Sequence, residues 1–421
     1  MTRRAAAVSY RASMRTERGR TAGSPVPGPV AAPGRDRGID ALRVVAILGV
    51  VLGHWLVTAL VVDGGPVHVA SPLRAAPGLA PASWVLQTLA LFFFVGGAVT
   101  ARSRRGREGG AGSGGGAAAG GRRAWLSARL DRLFRPVLVL VAGWSALLIG
   151  AVLWQYTPGS SHSVDAFAAA VRSRTVLKLV ASPLWFLLVY AALTLAQPLV
   201  RRLHPGWPLA VVAAVDLGRF AFGAPGWIGW VNLGAGWLVP YCLGAAWSRG
   251  RLRSARSAWV MLAGGLGAAV VLTGRLGYPV SMVGVPGQGI SNLNPPTLAA
   301  VAFGIGQCGL ALLILPPLRR AMDRARPWRA VTAVNRSAMT VFLWHQTSLL
   351  LVSLLVPGVM VGLQTVPDGA SWLAARLLWL PVFAAVLAGC VAAFHRFERQ
   401  PHRPHRPPRS PAPARRAHVA A

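Results

Sequence analysis

Ten stretches of mostly apolar residues, each near the length that crosses a bilayer as a helix, dominate this chain. They run near 39–61, 82–101, 133–156, 180–200, 207–223, 227–247, 258–274, 297–315, 338–356 and 372–395. The hydrocarbon core of a membrane takes about 20 residues of helix. Backbone in lipid has no water to bond, so each segment must satisfy its own amides, which a helix does. The expected fold is therefore all-α, a polytopic transmembrane helical bundle of about ten spans embedded in a lipid bilayer. Composition agrees: 54% of residues are hydrophobic and only 13% charged, against about 25% charged in a soluble domain. The fifth stretch is the weakest, being short and holding Asp216 and Arg219.

All ten stretches fall within residues 36–399. The segments 1–35 and 400–421 are basic, proline-rich and poor in large apolar side chains, and are predicted to be disordered tails. Residues 1–35 also lack the apolar core of a signal peptide. The glycine-rich run within 106–121 is predicted to be a flexible linker. Its GxG patterns follow no strand and precede no Lys-Ser/Thr, so they are not read as a phosphate loop.

Forty-four Lys and Arg against 11 acids give a net charge of +33. Such an excess raises the question of nucleic-acid binding, but its distribution argues for topology instead. Loops after even-numbered spans carry nine arginines between 102 and 135, then Arg201 and Arg202, then Arg249, Arg251, Arg253 and Arg256, then six between 319 and 336. Loops after odd-numbered spans carry only Arg74, Arg172, Arg174, Lys178, Arg219 and Arg275. Because Lys and Arg stay on the cytoplasmic side, the even loops and both tails are placed in the cytoplasm of a multi-pass cell-membrane protein with no nucleic-acid partner. The three cysteines, Cys242, Cys308 and Cys390, lie far apart inside apolar stretches and read as buried hydrophobes. No cluster has metal-ligand spacing, so no metal is expected.

Within the first span, Arg43 and His54 are eleven residues apart. That is about three turns, about 20° out of phase and about 16 Å along the axis. The two share one face, and Asp40 lies one turn before Arg43 on roughly the same face. Polar side chains in a span usually face the bundle interior or a wet cavity. Two readings stand: a snorkelling arginine plus a hydrogen-bonded core histidine, or the start of a site. Cytoplasmic arginines, Arg129, Arg132 and Arg135 among them, also have a topological reading.

The Arg43-x10-His54 pattern is followed in order by Leu91-Phe-Phe-Phe-Val-Gly-Gly-Ala98, Arg129-Leu-Asp-Arg-Leu-Phe-Arg-Pro136, Ser182-Pro-Leu-Trp-Phe-Leu187, Phe342-Leu-Trp-His345 and Phe397-Glu398-Arg399. This series resembles the acyltransferase 3 family, membrane enzymes that acylate extracytoplasmic sugars and related acceptors. The resemblance covers roughly 36–399. It departs where the family has Ser-Gly-Phe and this chain has Gly96-Gly97-Ala98, so a polar contact expected there is missing.

The resemblance implies acyl-CoA as donor substrate, no other cofactor, and a glycan or glycoside as acceptor. His54 is then the general base, and Arg43 holds the phosphates or pantetheine end of the donor. Asp40, Arg132, Arg135 and Trp185 are expected at the substrates. Asn292 and Asn294, in the loop before the eighth span, are read either as a turn or as partners for acceptor hydroxyls. His345 is read either as a core histidine or as a group that positions the acceptor. His54 is expected to face a cavity that opens to the cytoplasm past Arg43, with Trp185 or His345 on its far wall. The competing reading is a secondary transporter, which would show paired, broken helices in two halves.

Overall fold

A computed structural model describes residues 36–62, 66–108, 115–156, 162–200, 203–356 and 358–398, with no side chains described over 103–126 and 162–163. The predicted tails and the centre of the glycine-rich run lie outside the described residues.

Helices occupy all ten expected stretches. In chain order they are α1 (Arg37–Val57), α2 (Leu89–Glu108), α3 (Gly115–Trp154), α4 (His162–Arg172), α5 (Arg174–Ala181), α6 (Leu184–Leu195), α7 (Gly206–Ala221), α8 (Val231–Ser248), α9 (Ala255–Arg275), α10 (Leu298–Ala321), α11 (Ala325–Arg336), α12 (Ala338–Leu355) and α13 (Ala370–Phe394). Among the described residues the only strands are Ala59–Val61 and His68–Ala70, a short antiparallel pair that follows α1.

Eight helical segments are long and apolar enough to cross a membrane. The two expected spans outside that set are α7 and α8. At 16 residues, α7 is shorter than the hydrocarbon core requires, and α8 carries Asn232, Pro240 and several glycines. They are consecutive, so either count returns the chain to the same face. The protein is a multi-pass membrane protein.

Small residues set how closely helices approach. A Cβ at Gly97 would collide with the carbonyl of Tyr241, and one at Gly244 with the carbonyl of Phe94, so α2 and α8 touch backbone to backbone. Gly265, Gly306 and Gly309 do the same for α9 against α10. Glycine contacts of this kind replace the hydrophobic effect, which gives helices little reason to associate inside lipid.

The unfavourable charge in the fifth stretch has a structural role. Asp216 is buried in α7, where it accepts hydrogen bonds from Asn232 Nδ2 at 2.9 Å, Tyr278 Oη at 3.1 Å and Leu298 N at 2.7 Å. Arg219 lies 4.0 Å away. Leu298 is the first residue of α10, so the carboxylate also meets the positive end of that helix.

Three polar contacts position α1. Arg376 of α13 is 0% exposed. Its guanidinium donates to the carbonyls of Trp55 at 2.6 Å, Gly362 at 2.9 Å and Thr58, between the rings of Trp372 and Phe383. It thereby caps the orphan carbonyls that end α1. Trp55 Nε1 donates to the His345 carbonyl at 3.0 Å, tying α1 to α12. Thr88 Oγ1 donates to the Ala46 carbonyl at 2.7 Å in the middle of α1. At the other membrane face, Glu398 accepts from the Met339 and Thr340 amides, each at 3.1 Å, and caps the start of α12.

Replacing Arg376 with Met leaves buried carbonyls unpaired, at about 1–3 kcal/mol each. Denaturant titration of the detergent-purified variant is expected to show a loss of about 3 kcal/mol or more, partly restored by Arg376→Lys. Unchanged stability would contradict the capping role.

Candidate active site

His54 lies in the last turn of α1, toward the Arg-poor end of the bundle. The ring of His345, from α12, stands beside it with centroids 5.1 Å apart and planes inclined by 41°. The next residue of α12, Gln346, places its side-chain amide nitrogen 2.9 Å from His54 Nδ1. Ser182 Oγ is 3.5 Å from the same nitrogen. His345 and Gln346 are essentially unexposed, at 0% and 1%.

The hydrogen bonds decide which nitrogens can act. His345 Nδ1–H donates to the Phe342 carbonyl at 2.6 Å. Neutral His345 therefore presents its lone pair at Nε2, which is buried with no hydrogen-bond partner. For His54 the tautomer follows the Gln346 amide. With the amide nitrogen facing the ring, His54 Nδ1 accepts, the ring proton sits on Nε2, and Gln346 Oε1 is buried unpartnered. With the amide turned over, Oε1 accepts from His54 Nδ1–H, and Nε2 carries the lone pair that a base needs.

His54, His345 and Ser182 line a cavity of about 230 Å³, with Gln346 behind His54 and not on its wall. That volume is below the roughly 300–1,000 Å³ of pockets for drug-sized ligands. Its polar wall is His54, His345, Ser182, Gln87, Thr58 and Thr88, and its apolar wall includes Trp185, Phe186 and Phe342. Val69, Leu86, Val283, Pro286 and Leu293, from the loops of the Arg-poor end, complete it.

Arg43 does not line this cavity. The rings between them account for that. Phe186 packs 4.8 Å from Phe92 and 5.1 Å from Phe342, and Tyr190 packs 5.4 Å from Phe92. This aromatic layer packs between the cavity and Tyr190, and lining by Val69, Val283, Pro286 and Leu293 sets the cavity toward the Arg-poor face. Trp185 and His345 are both on its wall.

On the Arg-rich side of the layer a second polar cluster forms. Arg129, from α3, donates to Tyr190 Oη at 2.9 Å, and Arg43 lies within electrostatic range of the same phenol. The departure at Gly96 belongs to this cluster, because a Cβ there would lie 2.6 Å from Tyr190 Cε2. Tyr190 occupies the space that a side chain at 96 would need and brings a hydroxyl of its own.

The remaining expected site residues lie elsewhere. Arg132 is exposed and sits near Glu398. Arg135 is exposed and pairs at 4.0 Å with Asp131, one turn away on α3. Asp40 is buried at the start of α1, where its backbone carbonyl accepts from Asn335. Asn292 is spent inside its own loop: its amide donates to the carbonyls of Pro279 and Ser281, and Thr297 donates to its oxygen at 2.6 Å. It staples the loop and has no spare amide hydrogen for an acceptor. Asn294 is exposed, beside cavity-lining Leu293. Sequence reading did not single out Gln346, Ser182 or Tyr190. The first two adjoin or begin quoted segments, which is the one signal that pointed to them.

A family model described as an acyltransferase domain, Acyl_transf_3, matches residues 36–395. No curated protein and no solved structure matches the chain.

In a background lacking Cys242, Cys308 and Cys390, His54→Cys is expected to react with a small impermeant methanethiosulfonate applied to the Arg-poor face of oriented vesicles. Reaction only from the Arg-rich face would place the cavity on the wrong side.

Proposed function

The chain belongs to the acyltransferase 3 family, and on that premise we propose that this membrane acyltransferase moves a short acyl group, acetyl in the simplest case, from cytoplasmic acyl-CoA to a hydroxyl of an extracytoplasmic or membrane-associated glycan or glycoside. The membrane is the plasma or inner membrane, with the Arg-rich face in the cytoplasm. Family membership displaces the transporter reading.

One observation carries the proposal: His54, its tautomer governed by Gln346, stands beside His345 in a small, largely apolar cavity. The volume suits a short acyl group and the reacting atoms of an acceptor, not a whole sugar chain. The donor comes from the Arg-rich side, its phosphate-bearing end held by Arg43 and Arg129. Its thioester passes the layer of Phe92, Phe186 and Phe342, whose rings part to admit it. The acceptor meets it from the opposite face.

In the reacting state the Gln346 amide is turned so that Oε1 receives His54 Nδ1–H. His54 Nε2 takes the acceptor's hydroxyl proton as its oxygen bonds to the thioester carbon. The tetrahedral oxyanion then expels the CoA thiolate, which takes the proton back from the imidazolium. Ser182, which lines the cavity, supplies a hydroxyl donor for the oxyanion. The His345 Nε2 lone pair receives a second hydroxyl of the acceptor and orients it. Gln346 is a positioning residue, acting through His54.

The test is donor binding by calorimetry, with turnover, on nanodisc-embedded protein. His54→Ala is expected to lose about 100- to 10,000-fold in turnover while still binding acyl-CoA. Arg43→Ala is expected to weaken donor binding, with Arg43→Lys restoring only part, since a point charge lacks the guanidinium fork. Gln346→Glu places a carboxylate beside His54 and favours the imidazolium, so the acid limb of the pH–rate profile should move to higher pH. Near-normal turnover in His54→Ala would remove the assigned base. Wild-type protein that binds no acyl-CoA would defeat the reading itself.

A further inference from the structure

A second cavity lies apart from the histidine cavity. At the Arg-rich end, between α2, α8, α9 and α10, lies a pocket of about 460 Å³. Arg102 from the end of the second span, Arg253 from the α8–α9 loop and Arg319 from the last turn of α10 all line it. No acidic side chain is among its lining residues.

Arginines at this end of the bundle are expected from topology alone. Such residues normally snorkel outward, each on its own, to reach water and headgroups. Arg102, half-buried, and Arg253 and Arg319, both exposed, nonetheless border one and the same hollow. Arg102 and Arg319 share a support, with guanidinium carbons 4.7 Å and 5.9 Å from the Trp247 ring centroid. A cation–π contact engages the face of a guanidinium, not its in-plane N–H groups. Each guanidinium has five donors, so the contacts these side chains make need not exhaust them.

The start of α9 adds to the same field. Ser254, which caps that 21-residue helix by accepting from Ser257 N at 3.1 Å, lines the pocket together with Ala255. The positive end of the α9 dipole therefore adjoins the three cations. Three guanidiniums around one hollow give its mouth a positive potential that draws an anion. The forked geometry of several guanidiniums suits the oxygens of a phosphate group. Leu252, Leu312 and Pro316 form an apolar wall beside them, so the occupant carries a less polar part next to its charge.

We propose that this pocket, built by Arg102, Arg253, Arg319 and Trp247, is a phosphate-ester site separate from the histidine cavity. Two sources share that chemistry: the nucleotide end of the acyl donor, and the headgroup of an anionic phospholipid at the inner leaflet. The donor source rests on the acyl-transfer reading, whereas the lipid source does not.

The experiment uses the full chain in phosphatidylcholine nanodiscs, with adenosine 3′,5′-bisphosphate and phosphatidylglycerol as separate probes. Arg253→Gln and Arg319→Gln are the variants, each checked for a wild-type melting profile. Binding of the bisphosphate, weakened about tenfold or more in each variant, is expected if the donor occupies the pocket. Retention of phosphatidylglycerol through native mass spectrometry, lost in both variants, is expected if a lipid does. If neither probe binds the wild type, or if both variants bind like wild type, the pocket assignment is overturned. Turnover read in parallel separates the two claims. Intact acyl transfer without arginine-dependent phosphate binding defeats the pocket alone. Lipid held through Arg253 and Arg319 in a protein that transfers nothing defeats the acyl-transfer reading alone.

Discussion

A guanidinium buried inside a membrane protein is costly unless its donors are all met. Arg376 meets the cost by spending its donors on the backbone carbonyls of Trp55, Thr58 and Gly362. Those partners fix where α1 ends, and His54 lies one residue before Trp55. The indole of Trp55 then reaches the His345 carbonyl, so the placement of α1 is passed directly to α12. Glu398 holds the opposite end of α12. The pairing of His54 with His345 and Gln346 is thus the product of backbone capping at three points, with the two histidine rings carried along.

This framework gives the bundle two chemically different ends. Toward the Arg-poor face it holds two hydrogen-bonded imidazoles in a small, largely apolar cavity. Toward the Arg-rich face it holds cations, with Arg129 and Arg43 around Tyr190. The aromatic layer of Phe92, Phe186 and Phe342 lies between them. The asymmetry suits the proposed reaction, in which a highly charged cytoplasmic thioester is the donor and the acceptor stays outside.

Much of this was legible in the chain, for identifiable reasons. Apolar stretches and arginine alternation report the bilayer directly, and the ordered motifs pointed to the family that the match over 36–395 shows. Helical phase put Arg43 and His54 on one face, but phase says nothing about what fills the space beside it. The aromatic layer separating them comes from α2, α6 and α12 together, and no one segment announces it. The same limit explains Arg132 and Arg135. Spacing on α3 cannot tell which of three nearby arginines turns inward, and packing selects Arg129. Asn292 looked available because its partners, the carbonyls of Pro279 and Ser281, carry no sequence signature. Asp216 weakened the fifth span in sequence, yet in the fold it joins α7, α8 and α10.

In the proposed reaction the donor's thioester reaches His54 through the aromatic layer. An electron cryomicroscopy map of the protein with a non-transferable acyl-CoA analogue, one in which a methylene replaces the sulfur, addresses it directly. The acyl carbonyl carbon is expected beside the place of the acceptor hydroxyl, with that hydroxyl or a water between it and His54 Nε2. The pantetheine chain is expected between Phe92, Phe186 and Phe342, with Arg43 and Arg129 facing the donor's charged end. An analogue bound with its carbonyl on the Arg-rich side of an unbroken aromatic layer, remote from His54, would contradict the account.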